Sequence, residues 1–88
     1  MLEYTFRVYI HENSVEGMHI IHLLQDACKE ELVGKCKIEI VDIKKSPERL
    51  EQDNIFVFPT IVKISPPPLC ELVGNIENKQ DLLKAIKL

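Results

Sequence analysis

Apolar and polar residues alternate with a period of two at the start of the chain, which predicts a β-strand with one buried face. The apolar positions are Leu2, Tyr4, Phe6, Val8 and Ile10, and they alternate with Glu3, Thr5, Arg7 and Tyr9. Helical spacing follows as far as about Glu31, with an apolar stripe of Ile20, Ile21, Leu24, Ala27 and Cys28. Asn13 or Ser14 can cap this helix, because a short side-chain oxygen satisfies a free amide of the first turn.

The second half of the chain contains three further strand-like runs and two helical ones. A strand over Lys37 to Ile43 completes a parallel βαβ unit with the first strand and helix. The Ser46 hydroxyl is predicted to cap a second helix, and Pro47 suits its first position. This short helix ends near Asp53 or Asn54. The remaining segments are strands over Thr60 to Ile64 and Leu69 to Val73, separated by Pro66, Pro67 and Pro68, and a last helix capped by Asn78.

The element order βαβαββα predicts an α/β fold of the thioredoxin-like type, with a mixed four-stranded sheet flanked by three helices. At 88 residues we expect a single domain over 1–88. Pro59 stands before the third strand, where this fold carries a cis-proline, and a fixed cis bond is usually a deliberate feature of a structure. An ordinary trans proline that opens the strand is the alternative.

Composition and charge narrow the classes of partner. The net charge is −3, so the chain has no basic surface of the kind that binds nucleic acid. The apolar runs are too short to span a membrane, and the first residues lack the pattern of a signal peptide. We therefore expect a cytoplasmic protein that binds neither nucleic acid nor membrane and needs no cofactor.

Cysteine and histidine are the residues with candidate chemistry. Redox enzymes of this fold carry a low-pKa cysteine where the first helix begins, and here that position reads His11-Glu12-Asn13-Ser14. A noncatalytic protein is therefore favoured over a thiol-redox enzyme that has moved its nucleophile to Cys36 or Cys70. His19 and His22 lie one helical turn apart. Two imidazoles do not make a metal site, so a solvent-exposed or partner-binding surface is favoured over a metal site that includes His11.

Several short motifs resemble the KaiB family of circadian-clock proteins, and the resemblance runs from about Tyr4 to Leu88. The motifs are Val41-Asp42-Ile43, Lys45-Ser46-Pro47, Glu51-Gln52-Asp53-Asn54-Ile55, Phe58-Pro59-Thr60, Lys63-Ile64-Ser65-Pro66-Pro67-Pro68 and Val73-Gly74-Asn75. The resemblance implies a noncatalytic interaction module that docks on a KaiC-like ATPase or a related signalling protein, in circadian-type or stress regulation. It also implies a second, fold-switched form of the C-terminal half that assembles as a tetramer, so self-association to a dimer or tetramer stays open.

Two sets of residues follow from this resemblance. The predicted partner surface combines the polar face of the first helix with the second helix and the loop that follows it. Its residues are His19, His22, Asn54, Ile55 and Phe56, with the last two as exposed apolar anchors. The predicted determinants of fold state are Pro66, Pro67, Pro68, Ala85 and Lys87. Alanine favours a helix over glycine by about 1 kcal/mol, and lysine suits the last turn of a helix. We therefore expect the helix-ended, thioredoxin-like state to dominate.

Overall fold

Seven helices and strands follow one another in the predicted order. The computed structural model describes residues 3–12, 14–30, 35–55, 57–73 and 76–86. The elements are β1 (Glu3–Ile10), α1 (Val15–Glu30), β2 (Lys35–Asp42), α2 (Arg49–Asp53), β3 (Thr60–Ser65), β4 (Cys70–Val73) and α3 (Lys79–Ala85). The four strands form one sheet in the order β2-β1-β3-β4, in which β1 and β2 are parallel and the other neighbours antiparallel. The prediction of a mixed α/β sheet with three helices is confirmed.

One face of the sheet, here called the helix-pair face, carries the larger core. Alternate residues of β1 point into it, as the period of two predicts. The core consists of Tyr4, Phe6, Val8 and Ile10 from β1, Ile20, Ile21, Leu24 and Ala27 from α1, Ile61 from β3, and Leu82 and Ile86 from α3 and its C-cap. α1 and α3 therefore bury their apolar residues in the same core.

The opposite face, here called the α2 face, carries a smaller core that the sequence pattern did not predict. Tyr9 is only 1% exposed and packs with Val41, Ile55 and Val62. The assignment of Tyr9 to the polar side of β1 is wrong, because this side of the strand is covered as well. A buried tyrosine ring contributes a large apolar area while its hydroxyl still needs a partner.

The first turn of α1 is fixed by a cap and by close packing. Ser14 Oγ accepts a hydrogen bond from the Gly17 amide at 3.0 Å, which confirms Ser14 as a cap; Asn13 lies outside the described residues. A Cβ atom at Gly17 would approach Ser14 Oγ to 2.7 Å and Ile10 Cγ2 to 2.9 Å. Glycine is required here because the helix lies so close to the end of β1.

The start of α2 differs from the prediction. The helix begins at Arg49, and its N-cap residue Glu48 makes no side-chain capping hydrogen bond. The Ser46 amide bonds the Asp42 carbonyl at 3.0 Å, and the Ser46 carbonyl accepts from the Arg49 amide at 3.1 Å. Ser46 is therefore part of the tight turns that lead back from β2, which is why it does not serve as the predicted helix cap.

Prolines precede β3 and connect it to β4. The peptide bonds Phe58–Pro59, Ser65–Pro66 and Pro67–Pro68 are cis. β3 begins directly after Pro59, and β4 begins at Cys70, one residue later than predicted. The C-terminal segment is helical through Ala85, whereas Lys87 lies outside the described residues.

We expect Gly17→Ala to lower the free energy of unfolding. Overpacking of a tight contact costs about 1–3 kcal/mol, and most of this range exceeds the roughly 1 kcal/mol that alanine gains in helix propensity. Urea denaturation measures the difference. Gln25→Ala, at an exposed position of the same helix, is the control and should leave stability unchanged or slightly raised. A Gly17→Ala variant as stable as the parent would contradict the close contact.

Candidate functional site

An open cleft lies where β1 and β2 end and α1 begins, which is the place where redox enzymes of this fold carry their thiol. The cleft measures about 780 Å³ and is lined by His11, Glu12, Ser14, Asp42, Lys44 and Lys45. None of these residues is a cysteine, and Ser14 is occupied as the cap of α1. The cleft therefore lacks the nucleophile that thiol chemistry requires.

The acidic group in this cleft has a structural role. Asp42 Oδ1 accepts hydrogen bonds from the backbone amides of Glu12 and Lys44, both at 3.0 Å. These two amides hold the pKa of Asp42 below its usual range, because they stabilise the charged carboxylate. The Lys44 ammonium in turn contacts the Glu12 carboxylate. Asp42 thus ties the loop after β1 to the loop after β2, and its low pKa does not suit a general acid or base near neutral pH.

The three cysteines are free and lie elsewhere in the fold. Cys28 lies on the inner side of α1, where burial, and after it the neighbouring Cys36 thiol, raises its pKa to about 12. An activated thiol needs the opposite shift, toward or below neutral pH. Cys70 Sγ donates to the Ala85 carbonyl at 3.7 Å, so it contacts the end of α3. The predicted redox alternative, with Cys36 or Cys70 as a displaced nucleophile, gains no support from these surroundings.

A polar network on the α2 face joins α2 to the sheet. Tyr9 OH donates to Asp53 Oδ2 at 2.6 Å, and Arg49 Nε donates to the same oxygen at 3.0 Å. Arg7 Nε donates to Glu39 Oε1 at 3.0 Å, and Arg49 Nη2 lies 3.7 Å from that atom. The five side chains come from β1, β2 and α2, and we call them the Tyr9–Asp53 network. They hold a helix of only five residues, which would not be stable alone.

The electrostatics of this network follow from its hydrogen bonds. The Tyr9 hydroxyl, and after it the Arg49 guanidinium, hold the pKa of Asp53 below its usual range. Burial, and after it the bond to Asp53, raises the pKa of Tyr9. The phenol therefore stays protonated and the carboxylate stays charged at neutral pH. Sequence reasoning missed this pair, because 44 positions separate the two residues and no local pattern links them.

The predicted partner residues on α1 are exposed, and one of them makes a tertiary contact. His19 Nε2 donates to the Glu77 carbonyl at 2.9 Å, which links α1 to the segment before α3. His22 is exposed on the same side of the helix. Within the ranges that the structure describes, no group of three or more metal-ligating side chains could hold an ion.

The α2 half of the predicted surface needs correction. Asn54 is exposed at the C-cap of α2 and adopts a left-handed conformation with φ of 55°. Ile55 is 2% exposed, and its amide donates to the Leu50 carbonyl at 3.0 Å. The prediction that Ile55 is an exposed anchor is wrong, because the chain turns inward after α2 and places this side chain in the α2-face core. Phe56 lies outside the described residues.

The predicted surface is also not contiguous. His19 and His22 belong to α1, which packs on the helix-pair face. Asn54 ends α2, which the Tyr9–Asp53 network holds against the opposite face. Since the sheet lies between them, the two halves cannot form one flat docking site.

The fold and the thiol-free cleft define this protein as a thioredoxin-fold protein without the usual redox centre. The model of the KaiB domain matches residues 7–88, and the chain belongs to the KaiB family. It is 33% identical, over 96% of its length and 82% of the relative, to the circadian clock protein KaiB3 of a Synechocystis species.

Two solved structures show how widely the fold is shared. The N-terminal domain of SasA from Synechococcus elongatus is similar with a TM-score of 0.75 and 15% identity, over 98% of this chain and 81% of that domain. Reduced desulfothioredoxin from Desulfovibrio vulgaris Hildenborough is similar with a TM-score of 0.74 and 16% identity, over 97% of this chain and 80% of that one. At such low identity both likenesses concern the fold alone.

None of the helices in the described ranges combines the length and the apolar content needed to cross a membrane.

We expect Tyr9→Phe to destabilise the protein by about 1 kcal/mol at neutral pH. This is less than the roughly 1.5–3 kcal/mol typical of a hydrogen bond to a charged group, because Asp53 is partly exposed and keeps Arg49. The pKa of Asp53 is lowered in the folded state. The charged carboxylate therefore makes its full contribution to folding stability above the ordinary pKa of an aspartate, and this contribution is lost as the pH falls through the lowered pKa. The gap between the two proteins should therefore narrow below about pH 4.

Denaturation in urea at a series of pH values measures this gap. Tyr4→Phe is the matched control, since Tyr4 is also buried in β1 but no hydrogen bond of its hydroxyl is seen among the described residues. That variant should show little loss at any pH. A Tyr9→Phe deficit that stays constant down to pH 2.5 would argue against the bond to Asp53.

Proposed function

We propose that this chain is a noncatalytic protein-interaction module that docks on a KaiC-like ATPase, or a related signalling protein, in circadian-type regulation. The observation that carries the proposal is the match of the KaiB domain to residues 7–88, on a thioredoxin fold whose α1 start holds a capping serine in place of a thiol. The similar Synechocystis protein is named as a circadian clock protein, which supports the same class of function.

The outer face of α1 is the surface that best suits docking. Val15, Met18, His19 and His22 recur at helical spacing on this face, and we call them the α1 outer face. Val15 is 80% exposed and Met18 is 37% exposed, which is unusual for apolar side chains of an amphipathic helix. Apolar anchors inside a polar rim are typical of the centre of a protein interface.

The α1 outer face replaces the two-sided surface predicted from the sequence. It keeps His19 and His22 and leaves out Ile55, which is buried. A shallow crevice next to it is lined by Val15, Glu16, His19, Ile20, Ile76 and Glu77, and it offers room for a partner side chain. The bond from His19 to the Glu77 carbonyl holds the two sides of this crevice together.

The helix-ended state is the form that would present this surface. Leu82 of α3 is fully buried in the helix-pair core beside α1, and Ala85 lies in the last turn, where alanine favours the helix over glycine by about 1 kcal/mol. Pro66, Pro67 and Pro68 lie between β3 and β4, where proline cannot extend the ladder. We propose that these residues bias the chain toward the thioredoxin-like form that docks.

Binding of the purified chain to a purified KaiC-like hexamer, followed by biolayer interferometry, tests the proposal. We expect Met18→Asp to weaken binding at least tenfold, about 1.4 kcal/mol, because a charge would enter the apolar centre of the interface. Leu69→Asp is the matched control, since Leu69 is also exposed but lies in the β3–β4 connection. It should bind within twofold of the parent.

Two outcomes would contradict the proposal. Equal loss in Met18→Asp and Leu69→Asp, with unchanged circular dichroism, would exclude the α1 outer face as the docking surface. Disulfide-reducing turnover that disappears in Cys36→Ser or Cys70→Ser would show a thiol-redox enzyme instead.

A further inference from the structure

We propose that Cys28 and Cys36 are a modification site, at which a small-molecule disulfide of the glutathione class oxidises the two thiols to a reversible intramolecular disulfide. The bond joins the last turn of α1 to the second residue of β2. It forms once per chain, which distinguishes it from the turnover of a redox enzyme. The inference is independent of the proposed function, because neither cysteine belongs to the α1 outer face.

The fold brings these two cysteines to the same face of the sheet. Cys28 follows Ala27 and lies one helical turn after Leu24, and both of these neighbours are fully buried in the helix-pair core. Cys36 faces Tyr4 in the parallel register of β1 and β2, and Tyr4 belongs to the same core. Because paired residues of neighbouring strands share a face, Cys36 lies on the side of the sheet that α1 covers.

The two thiols are neighbours in this core. Both cysteines pack against it, and the thiol of Cys28 makes a hydrogen bond with that of Cys36, which adds to the effect of burial on its pKa. The third cysteine lies elsewhere. Cys70 begins β4, which β1 and β3 separate from β2, and its thiol contacts the Ala85 carbonyl. The chain therefore offers one pair of adjacent thiols and one remote thiol.

Access and reactivity suit stepwise oxidation. Both thiols of the pair are half-buried, so part of each remains open to a small reagent. Burial, and after it the Cys36 thiol, raises the pKa of Cys28 to about 12. Cys28 therefore stays protonated near neutral pH and is a poor first nucleophile, since the thiolate is the attacking species. The first attack falls to Cys36.

The reaction consists of two thiol–disulfide exchanges. The Cys36 thiolate attacks one sulfur of the small disulfide, which breaks the S–S bond, forms a mixed disulfide and releases one small thiolate. Cys28 then gives up its proton and attacks Cys36 Sγ, which forms the intramolecular bond and releases the second small thiolate. Two protein thiols are oxidised, and one small disulfide is reduced to two thiols that take up the two protons. The second exchange is intramolecular, and this proximity offsets the low thiolate fraction of Cys28.

The bond should depend on the native fold as well as on closeness in sequence. It ties α1 to β2 and restricts the unfolded chain by closing a loop, so it should stabilise the folded form. By linkage, the folded chain should hold the disulfide more strongly than the unfolded chain does. This difference separates a pair that the fold builds from two cysteines that are merely near each other along the chain.

Incubation of the full chain with oxidised glutathione, followed by mass spectrometry and thiol titration, tests the inference. The parent should lose two hydrogens, and its free thiols should fall from three to one. Trypsin cleaves after Lys29 and Lys35, between the two cysteines, so the bond should appear as a cross-link between separate peptides. Cys70→Ser is the matched control and should form the same bond. Cys28→Ser should carry only a mixed disulfide with glutathione at Cys36.

Glutathione redox buffers measure how strongly the fold favours the bond. The equilibrium constant for oxidation should be at least about tenfold higher in the native chain than in denaturing urea, and dithiothreitol should restore all three thiols. An equal or lower constant in the native chain would overturn the inference. So would a parent that keeps its three thiols, gains only glutathione adducts, or forms a bond that includes Cys70. If Cys28→Ser does not fold, the peptide maps of the parent and of Cys70→Ser still decide.

Discussion

Burial of β1 on both of its faces is the constraint on which the rest of this structure depends. The strand has neighbours on both sides, and its alternate side chains supply both cores. Phe6 and Val8 require α1 and α3 as cover. Tyr9 points to the α2 face. Its buried hydroxyl needs a hydrogen-bond partner, which Asp53 of the short helix α2 provides. Helices therefore cover both sides of the sheet because both faces of β1 must be buried.

The parts of the fold that the sequence predicted are those in which one element buries a periodic stripe. The order of elements, the larger core and the cap at Ser14 all follow from local spacing. Tyr9 and Ile55 were misassigned because the smaller core takes single residues from β1, β2, β3 and the turn after α2. Residues so far apart form no periodic pattern of apolar positions in the sequence. Ser46 looked like a cap, but the backbone turns after Asp42 use it otherwise. The partner surface was predicted as one patch because a sequence does not show on which side of the sheet each helix packs.

Function in this fold depends on a few positions and not on the architecture. The SasA domain and desulfothioredoxin are similar to this chain to nearly the same degree, although their names indicate different roles. At the start of α1, Ser14 stabilises the helix and Asp42 ties two loops together. The proposed docking surface, the α1 outer face, takes part in neither of these contacts.

The position of the α1 outer face depends on the helix-ended state of the C-terminal half, since α3 completes the core on which α1 packs. Backbone assignment of the chain by nuclear magnetic resonance tests this state most directly. We expect helical Cα shifts over Lys79–Ala85, strand shifts over Cys70–Val73 and a single dominant set of amide peaks. Strand shifts over Lys79–Ala85, or a second slowly exchanging set of comparable intensity, would contradict it.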